Sequence, residues 1–475
     1  MWMYFEEICN IPRLSKNEGK IRKYLLDFAK NNNLESKEDE TGNILIIRPA
    51  SPGMEKRKPV VLQSHMDMVG EMSPDSEHNW SADSITPIID NEWVKAKETT
   101  LGADDGMGVA AQLAILTEKN LHAGKIECLF TVDEESGMTG AINLKPGFFS
   151  ASTLINLDSE DEGILFIGCA GGMETTGTIR YKPVPAGNNL SSFKITIGGL
   201  HGGHSGDEIH KGYGNSIKIL AGILQDISSK FEISIADFDG GNLRNAIPRE
   251  AFSSIAFNKA DEEGIRKITY DLQTDILKKF PVTEPDLHIS IKRAETILMV
   301  MPQDCQKKFL EAIRCCPHGA LEWSKEMDDL VETSTNLASV KFTDNDTIKI
   351  ITTQRSSVES AKHDAAMLVE KCLKIADAEV VQSSGYPGWK PDLTSEILSL
   401  TRKSYVKLFG KEPMIRAIHA GLECGLIFEK FKGIDMISFG PTIRGAHTTE
   451  EQIEIKTAQM FWNLLKDVVS NMAEN

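Results

Sequence analysis

The chain has 475 residues, of which 41% are hydrophobic and 25% are charged, as is normal for a globular protein. This length exceeds what one ordinary hydrophobic core supports, so two or three domains are expected. The 52 basic and 69 acidic residues give a formal net charge of −17, which argues against nucleic acid or an anionic membrane surface as a partner.

Targeting signals and paired cysteines are both missing from the sequence pattern. Residues 1–20 lack a basic region followed by an apolar run, so no signal peptide is predicted. The sequence also lacks a run of about 18 apolar residues, so no membrane span is predicted. The eight cysteines are scattered without a CxxC pair, which is typical of reduced thiols. We therefore expect a cytoplasmic protein with no membrane partner.

The first 187 residues alternate between helical and strand patterns. A capping box at Ser15–Glu18 precedes a helical pattern over residues 21–30, and a second helix is predicted over residues 109–119. Apolar runs predict strands at residues 43–49, 60–64, 126–132 and 153–157. Alternating strands and helices favour an α/β domain with a mostly parallel sheet.

The pattern changes near residue 188, and a segment rich in Gly and Pro follows at Gly385–Pro391. Helix, strand and loop patterns then continue to the C-terminus. We therefore predict a discontinuous main domain formed by residues 1–187 and 389–475. An α+β domain of residues 188–388 is predicted to be inserted into it.

The predicted inserted domain contains the order β-α-β-β-α-β twice, and each pass is typical of a ferredoxin-like unit. The first pass begins with a strand at residues 193–199, and the second begins with a strand near residues 296–301. Two ferredoxin-like units are therefore predicted. A single irregular α+β domain is the alternative.

A histidine and an aspartate follow the buried strand of residues 60–64. Because side chains alternate along a strand, His65 and Asp67 point to the same side. A carboxylate beside a metal-binding histidine fixes the ring tautomer and raises its basicity. The pair therefore suits a metal ligand with an orienting acid, although taken alone it also fits an ordinary polar loop.

Acidic residues or a histidine follow other apolar segments in the same way. They are Glu134 and Glu135, Asp158, His447, and the Asp104–Asp105 pair ahead of the second helix. In open α/β sheets, ligands bind outside the carboxyl ends of the strands, so these side chains should converge. Histidines and carboxylates without thiolate suit a hydrolytic zinc or manganese site, and the surplus suggests two ions sharing a carboxylate. The alternatives are a helix N-cap for the aspartates and surface charge for the glutamates.

Nine strings of sequence resemble a known family. They are SHMDMV, TLGADDGMGVA, FTVDEESGMTGA, INLDSE, GGLHGGHSGDEIHKGYGN, NLRNAIPREA, GYPGWKPD, IHAGLECGLI and SFGPTIRGAHTTEE. On these strings the chain resembles the aminoacyl-histidine dipeptidases (Xaa-His dipeptidases, carnosinase-like), a branch of the dinuclear zinc aminopeptidase and carboxypeptidase superfamily. The resemblance runs from His65 to Glu451 and covers essentially the whole chain. It implies a zinc-peptidase catalytic domain with an inserted lid domain.

The resemblance also implies the ligands of two divalent metal ions. His65 and Asp158 would bind one ion. Glu135 and His447 would bind the other, and Asp104 would bridge the two. The peptide bond after Asp104 is implied to be cis. The ions would be zinc, with manganese or cobalt as alternatives.

Three further residues would take part in catalysis. The resemblance implies that Asp67 orients His65 and that Glu134 is the general base, which takes a proton from a water that bridges the metals. His204, in the inserted domain, would bind the oxyanion or the substrate. Its Gly-rich surroundings make a poor core segment, so the residue pattern also favours a functional role for His204.

Substrate binding is implied for Arg244, Asn245 and His419. Arg244 and His419 would act as cations that hold the terminal carboxylate of a peptide, since an arginine can bind a carboxylate with two hydrogen bonds. These assignments complete the predicted site.

The predicted function is metal-dependent hydrolysis of short peptides, namely Xaa-His dipeptides including β-alanyl-histidine. The alternatives are an aminoacylase or a broader di- or tripeptidase on the same fold, and a non-catalytic binding protein on that fold. A serine hydrolase is disfavoured because GGHSGD lacks the G-x-S-x-G spacing. The expected partner is a small peptide, and the expected assembly is a monomer or a homodimer.

Overall fold

The computed structural model describes residues 1–343 and 346–474. The chain folds into two compact units. The main unit comprises Met1–Cys169, Trp389–Ala417 and the chain from Leu422 onward, and the inserted unit comprises Ala170–Gly388 and Ile418–Gly421. The first boundary therefore lies earlier than the predicted position at residues 187 and 188, and a short later segment also returns to the inserted unit.

The first part of the main unit alternates helices and strands. Its helices are α1 (Trp2–Cys9), α2 (Gly19–Asn31), α3 (Ala103–Thr117), α4 (Glu134–Gly137) and α5 (Thr139–Asn143). Its strands are β1 (Glu35–Glu38), β2 (Ile44–Arg48), β3 (Val60–His65), β4 (Pro87–Asp90), β5 (Trp93–Ala96), β6 (Ile126–Thr131), β7 (Thr153–Asn156) and β8 (Ile164–Cys169).

The inserted unit is richer in strands. Its strands are β9 (Gly171–Arg180), β10 (Val184–Pro185), β11 (Leu190–Gly198), β12 (Ile233–Gly240), β13 (Ala251–Asn258), β14 (His288–Arg293), β15 (Met299–Val300), β16 (Gly319–Trp323), β17 (Val331–Thr343), β18 (Thr347–Ser356) and β19 (Glu379–Gln382). Its helices are α6 (Ser216–Ser228), α7 (Glu262–Leu277), α8 (Gln303–Cys315) and α9 (Glu359–Lys374).

The last part of the chain completes the main unit. Its helices are α10 (Glu396–Phe409), α11 (Glu423–Lys430) and α12 (Ile455–Ser470). Its strands are β20 (Met414–Ile418), β21 (Asp435–Ser438), β22 (Ile443–Arg444) and β23 (Gln452–Glu454). Among the described residues, the helices are all too short or too polar to span a lipid bilayer.

The main unit is built on a sheet in the order β1-β2-β6-β3-β7-β21-β8-β20. The strands from β6 through β3 and β7 to β21 are parallel, whereas β1–β2, β2–β6 and β21–β8 are antiparallel. Strands β3, β6 and β7 are buried along their whole length, in agreement with the apolar residues that predicted them. The parallel centre therefore brings the carboxyl ends of these strands to one edge, as predicted.

The inserted unit contains a nine-stranded sheet, in which eight strands follow the order β14-β11-β13-β12-β17-β18-β9-β19 and β16 also pairs with β17. Strands β14-β11-β13-β12 have the antiparallel 4-1-3-2 order of a ferredoxin-like unit, with β11 as strand 1. Strands β19-β9-β18-β17 have the same order, with β9 as strand 1. The prediction of two ferredoxin-like units is confirmed, and their sheets join edge to edge through β12 and β17.

The first strand of the second ferredoxin-like unit was predicted wrongly. That strand is β9, which comes before the first ferredoxin-like unit in the chain. The second unit continues only at its first helix, α8. The whole first unit is therefore inserted between β9 and α8. The predicted strand near residues 296–301 contains only the short β15, which pairs with β10 in a separate two-stranded sheet. The pairing of β9 with β18 spans Gly171 to Ser356, and local sequence patterns carry no information about such distant pairs.

A small sheet in the order β22-β23-β5-β4 supports the loop that carries His447. Strands β22 and β23 pair antiparallel, so residues 445–451 close a hairpin. Gly445 begins this loop at φ +67°, and a Cβ atom there would lie 2.8 Å from the carbonyl oxygen of Glu450. The turn therefore requires glycine, and it sends His447 back toward the main unit's own strand ends.

Candidate metal centre

His65 and Asp67 lie at the carboxyl end of β3, and both are buried. His65 Nδ1 lies 3.5 Å from Asp67 Oδ1, which is an electrostatic contact longer than a typical hydrogen bond. Asp67 also accepts hydrogen bonds from the backbone N–H groups of Glu134 (3.1 Å) and Glu135 (3.2 Å) and from the Ser15 hydroxyl (2.8 Å). Asp67 therefore links the end of β3 to the turn after β6.

A first group of possible metal donors surrounds His65 Nε2. This atom lies 3.1 Å from Asp104 Oδ1 and 3.3 Å from Asp158 Oδ1. Asp158 follows β7, so two neighbouring parallel strands supply two of the three side chains. One donor atom from each residue lies within 4.8 Å of the others.

A second group surrounds His447 Nε2. This atom lies 3.1 Å from Asp104 Oδ2 and 2.9 Å from Glu135 Oε2. The other oxygen of Glu135, Oε1, is buried and has no hydrogen-bond partner among the described residues. The two groups share Asp104, which directs one carboxylate oxygen to each histidine.

Asp104 stands at the irregular start of α3. Asp104 and Asp105 have non-helical backbone angles, and the peptide bond between them is cis, as the resemblance implied. Asp105 Oδ1 accepts the N–H of Gly108 at 3.1 Å, so Asp105 caps the helix that follows. The helix-cap alternative from the sequence thus applies to Asp105, whereas Asp104 faces the histidines.

The two histidines are strongly basic in this environment. Burial opposes a charged His65 ring, but Asp158 and Asp104 beside it raise its pKa well above the usual range. Hydrogen bonds with Asp104 and Glu135 raise the pKa of His447 to about 11.

The acids at the site resist joint ionisation. Burial raises the pKa of Asp105 and of Asp158 well above the usual range. Burial also raises the pKa of Glu134 to about 8, and the nearby acids Glu423 and Glu135 add to the effect. Close buried carboxylates of this kind are stable as anions only beside cations.

The side chains present fit two divalent metal ions. The donor atoms are two imidazole nitrogens and several carboxylate oxygens without thiolate, a set that suits zinc, manganese or cobalt in a hydrolytic site. The unpartnered Glu135 Oε1 and the shared Asp104 carboxylate are what two adjacent cations would satisfy. The buried acids also supply the negative charge that such ions need.

Sequence reasoning missed several buried charged residues around the site, and Arg13 and Glu451 are two of them. Arg13 is 1% exposed, and its guanidinium donates to the carbonyl oxygens of Met66 (3.2 Å), Asp67 (2.7 Å) and Gly102 (2.5 Å). Glu451 is 2% exposed and accepts backbone N–H groups just before the cis bond. In the sequence, Glu451 is the last residue of the HTTEE string. Nothing in that string distinguishes it from Glu450, which is exposed.

His204 lies in the inserted unit, on the loop after β11. Its ring Nδ1 lies 3.1 Å from the backbone N of Asp207 and 3.2 Å from Asp207 Oδ2, so Asp207 orients the ring. The His204 side chain is 34% exposed. Ser205 donates its N–H to the carbonyl oxygen of Asn245, and His204 forms a β-bridge with Ala246. The His204 loop and the loop of Arg244 and Asn245 are therefore tied together.

Arg244 and Asn245 are exposed, whereas His419 is buried. His419 Nε2 lies 2.7 Å from Ser334 Oγ, and burial, with the nearby Arg355, lowers the pKa of His419 to about 3. Burial and the neighbouring arginine therefore oppose the positive charge expected of His419. Arg244 is therefore the residue of the predicted Arg244–His419 pair that supplies a positive charge for a terminal carboxylate.

The chain is similar in sequence to known peptidases. It matches the sequence model of Peptidase family M20/M25/M40 over residues 61–471. It is 40% identical to the cytosol non-specific dipeptidase of Escherichia coli (strain K12), over 99% of this chain and 97% of that protein.

Solved structures show the same fold. An aminoacylhistidine dipeptidase from Vibrio alginolyticus superposes with a TM-score of 0.95 at 38% identity, covering 100% of this chain and 96% of that chain. Aminopeptidase PepT from Bacillus cereus ATCC 10987 superposes with a TM-score of 0.59 at 18% identity, covering 99% and 97%. The second likeness concerns the fold alone.

Proposed function

The chain belongs to Peptidase family M20/M25/M40, and on that premise we propose that it is a metal-dependent dipeptidase that hydrolyses Xaa-His dipeptides, including β-alanyl-histidine. The observation that supports this most directly is the pair of donor groups that share Asp104. The full-length likeness to two dipeptidases supports the substrate class.

His65, Asp158 and Asp104 would hold one ion. Glu135, His447 and the second oxygen of Asp104 would hold the other. When bound, two such ions polarise a carbonyl group and lower the pKa of water from 15.7 toward about 7. Zinc is the proposed metal, with manganese and cobalt as alternatives.

Glu134 is the proposed general base. It lies in the same turn as Glu135, and one of its carboxylate oxygens lies within 4.8 Å of donor atoms of His65 and Glu135, but it is absent from the Asp104 and His447 group. The pKa of about 8 that burial gives it means that its carboxylate holds a proton readily. In its ionised form, the Glu134 carboxylate can accept a proton from water and pass it to the amine that leaves the peptide.

Asp67 is proposed to orient His65 and the Glu134–Glu135 turn together. Its carboxylate contacts the His65 ring on one side and accepts both glutamate N–H groups on the other. A change at Asp67 would therefore displace a metal ligand and the general base at once.

Residues of the inserted unit are proposed to bind the substrate. His204 would donate a hydrogen bond to the oxyanion that forms during hydrolysis, a contribution of about 2.7–4 kcal/mol in comparable sites. Arg244 would hold the terminal carboxylate of the dipeptide and Asn245 would donate to its backbone. We therefore expect Arg244→Ala to lose activity toward dipeptides. Its activity toward the C-terminal amides of the same dipeptides should change little, because an amide lacks the carboxylate that Arg244 would hold.

A broader specificity is the second candidate, because the Escherichia coli relative is named a non-specific dipeptidase. A panel of Xaa-His dipeptides, other dipeptides, tripeptides and N-acyl amino acids separates the candidates. The proposal expects the highest kcat/KM for Xaa-His. Equal rates on most dipeptides would support the broader enzyme, and turnover of N-acyl amino acids alone would support an aminoacylase.

The same relative supports a cytosolic location for this chain. Cell fractionation with an antibody to the protein tests this. Recovery in a membrane or secreted fraction would contradict it.

A further inference from the structure

Glu451 ends the loop between β22 and β23, and its buried carboxylate binds four consecutive backbone N–H groups. Oε2 accepts from Leu101 and Gly102 at 2.8 Å each. Oε1 accepts from Ala103 at 2.7 Å and from Asp104 at 3.2 Å. One side chain therefore fixes the four peptide units that lead directly into the Asp104 carboxylate.

Consecutive N–H groups converge on one anion only where the backbone curls into a concave nest. Gly102 supplies that curl with φ +69°, and a Cβ atom there would lie 2.6 Å from Arg13 Nη2 and 2.8 Å from Met68 Sδ. Arg13 Nη2 also donates to the carbonyl oxygen of Gly102. The segment is thus held by an anion at its N–H groups and by a cation at one of its carbonyl groups.

The same contact joins two distant parts of the chain. Glu451 and His447 lie on one loop, and the hydrogen bond from Asp104 N to Glu451 spans 347 positions of sequence. Asp104 Oδ2 lies 3.1 Å from His447 Nε2. The anchor at Glu451 therefore sets the position of the His447 loop relative to Asp104.

We propose that Glu451 is a positioning residue that holds Asp104 and His447 in the arrangement that binds two metal ions. This inference rests on the proposed function, since it takes both residues as metal ligands. Glu451 acts only through the backbone, because its oxygens are occupied by the four N–H groups. Its removal loosens the bridging carboxylate without removing any ligand atom.

The test compares Glu451→Gln with Glu450→Gln in the full-length protein. Both variants remove one negative charge from the same loop, but Glu450 is exposed. Glutamine offers one acceptor oxygen and turns an NH₂ group toward the remaining N–H groups. In zinc competition against a chelator, Glu451→Gln should bind about 10–100-fold more weakly than Glu450→Gln, the usual loss for a residue that supports a ligand.

Hydrogen exchange on the metal-free protein supplies a readout that is independent of activity. The amides of residues 101–104 should exchange slowly in the wild type and at least about tenfold faster in Glu451→Gln, with no change in Glu450→Gln. The wild-type measurement stands even when Glu451→Gln does not fold.

Fast exchange of these amides in the wild type, or equal zinc affinity of the two variants, would overturn the role of Glu451. Failure of the wild type itself to bind zinc would instead overturn the proposed function. The two failures are therefore distinguishable.

Discussion

At the scale of single residues, the adjacent Glu134 and Glu135 show how one short turn separates two tasks. Glu135 Oε2 contacts His447 at 2.9 Å, so it belongs to a donor group. Glu134 has a raised pKa and lies near His65 and Glu135, but it is absent from the group that contains His447. Because α4 begins at this position, neighbouring side chains leave the backbone in different directions.

Exchange of each glutamate for glutamine tests this division. Glu134→Gln should keep both metal ions and lose about 10²–10⁴-fold in kcat, because glutamine cannot accept the proton. Glu135→Gln should weaken metal binding itself. Metal content after gel filtration and kcat at saturating zinc check the two expectations. Near-normal turnover in Glu134→Gln would assign the base to another residue.

His419 contributes a pH-dependent term to stability. Its pKa is about 3 in the folded chain against 6.5 for a free histidine, because the ring is buried. Between pH 6.5 and pH 3, the histidine takes up a proton in the unfolded chain but not in the folded chain. The contribution of His419 to the unfolding free energy is therefore fully present above pH 6.5 and is lost as the pH falls toward 3.

We therefore expect His419→Gln to flatten the acid side of the stability curve. Between pH 7 and pH 5 the wild type should lose about 2 kcal/mol more of its unfolding free energy than the variant does. Urea unfolding of the inserted unit, followed at several pH values, measures the difference. Parallel curves for the two proteins would show that His419 is protonated in the folded state.

At the scale of secondary-structure elements, the sheets of the two ferredoxin-like halves share a short edge within the inserted unit. Strands β12 and β17 pair at only two positions, Asp239 with Lys341 and Gly240 with Val340. Lys341 Nζ adds an ion pair with Asp239 Oδ1 at 2.7 Å. The chain leaves β12 through Gly241, at φ +68°, where a Cβ atom would lie 1.9 Å from the carbonyl oxygen of Ala338.

Gly241→Ala should therefore lower the unfolding free energy by about 3 kcal/mol or more, since it adds a backbone clash to an unfavourable φ. Gly212→Ala is the matched control, because Gly212 has φ +67° with no atom within 4 Å of the added Cβ. The control should cost only about 1 kcal/mol, the value of the left-handed conformation alone. Equal losses for the two variants in urea unfolding would mean that the β12–β17 join tolerates displacement.

At the scale of the whole molecule, the duplicated inserted unit bears on how the enzyme assembles. Two ferredoxin-like units lie in one nine-stranded sheet within a single chain. We expect this internal pairing to replace a pairing between subunits, so that each chain uses its own His204. Assembly as a monomer or as a homodimer is compatible with this expectation.

Mixing two inactive variants tests the expectation. His204→Ala lacks the inserted-unit histidine, and His447→Ala lacks a proposed metal ligand. If His204 and His447 must come from the same chain to form an active site, the mixture should stay inactive. Activity that returns on mixing would show that His204 serves a partner chain.

Metal analysis addresses the whole molecule as well. Protein purified without chelator should contain close to two equivalents of divalent metal per chain, because two donor groups share one carboxylate. Dialysis against a chelator should remove both the metal and the activity, and zinc should restore them. Full activity in metal-free protein would contradict the proposed mechanism.

Much of the site was predictable because most of the proposed ligands lie directly beside an element with a strong local pattern. Val60–Leu62 is an apolar run and Ile126–Phe130 is mostly apolar, and both are typical of buried strands, so the polar residues after them stand out. The two ferredoxin-like units were predictable for the same reason, because apolar residues recur at one spacing in helices and at another in strands. Such helix and strand patterns are formed by residues that are close together in the sequence.

The sequence by itself therefore determined the buried parallel strands, the residues at their ends and the number of ferredoxin-like units. Only the tertiary structure decided which distant segments meet. It placed β9 beside β18, buried the neutral His419 against Ser334, and brought Glu451 to the N–H groups before Asp104. The physical reason is that backbone pairing and burial depend on the closure of long loops, and such contacts leave no periodic signal in the residues that form them.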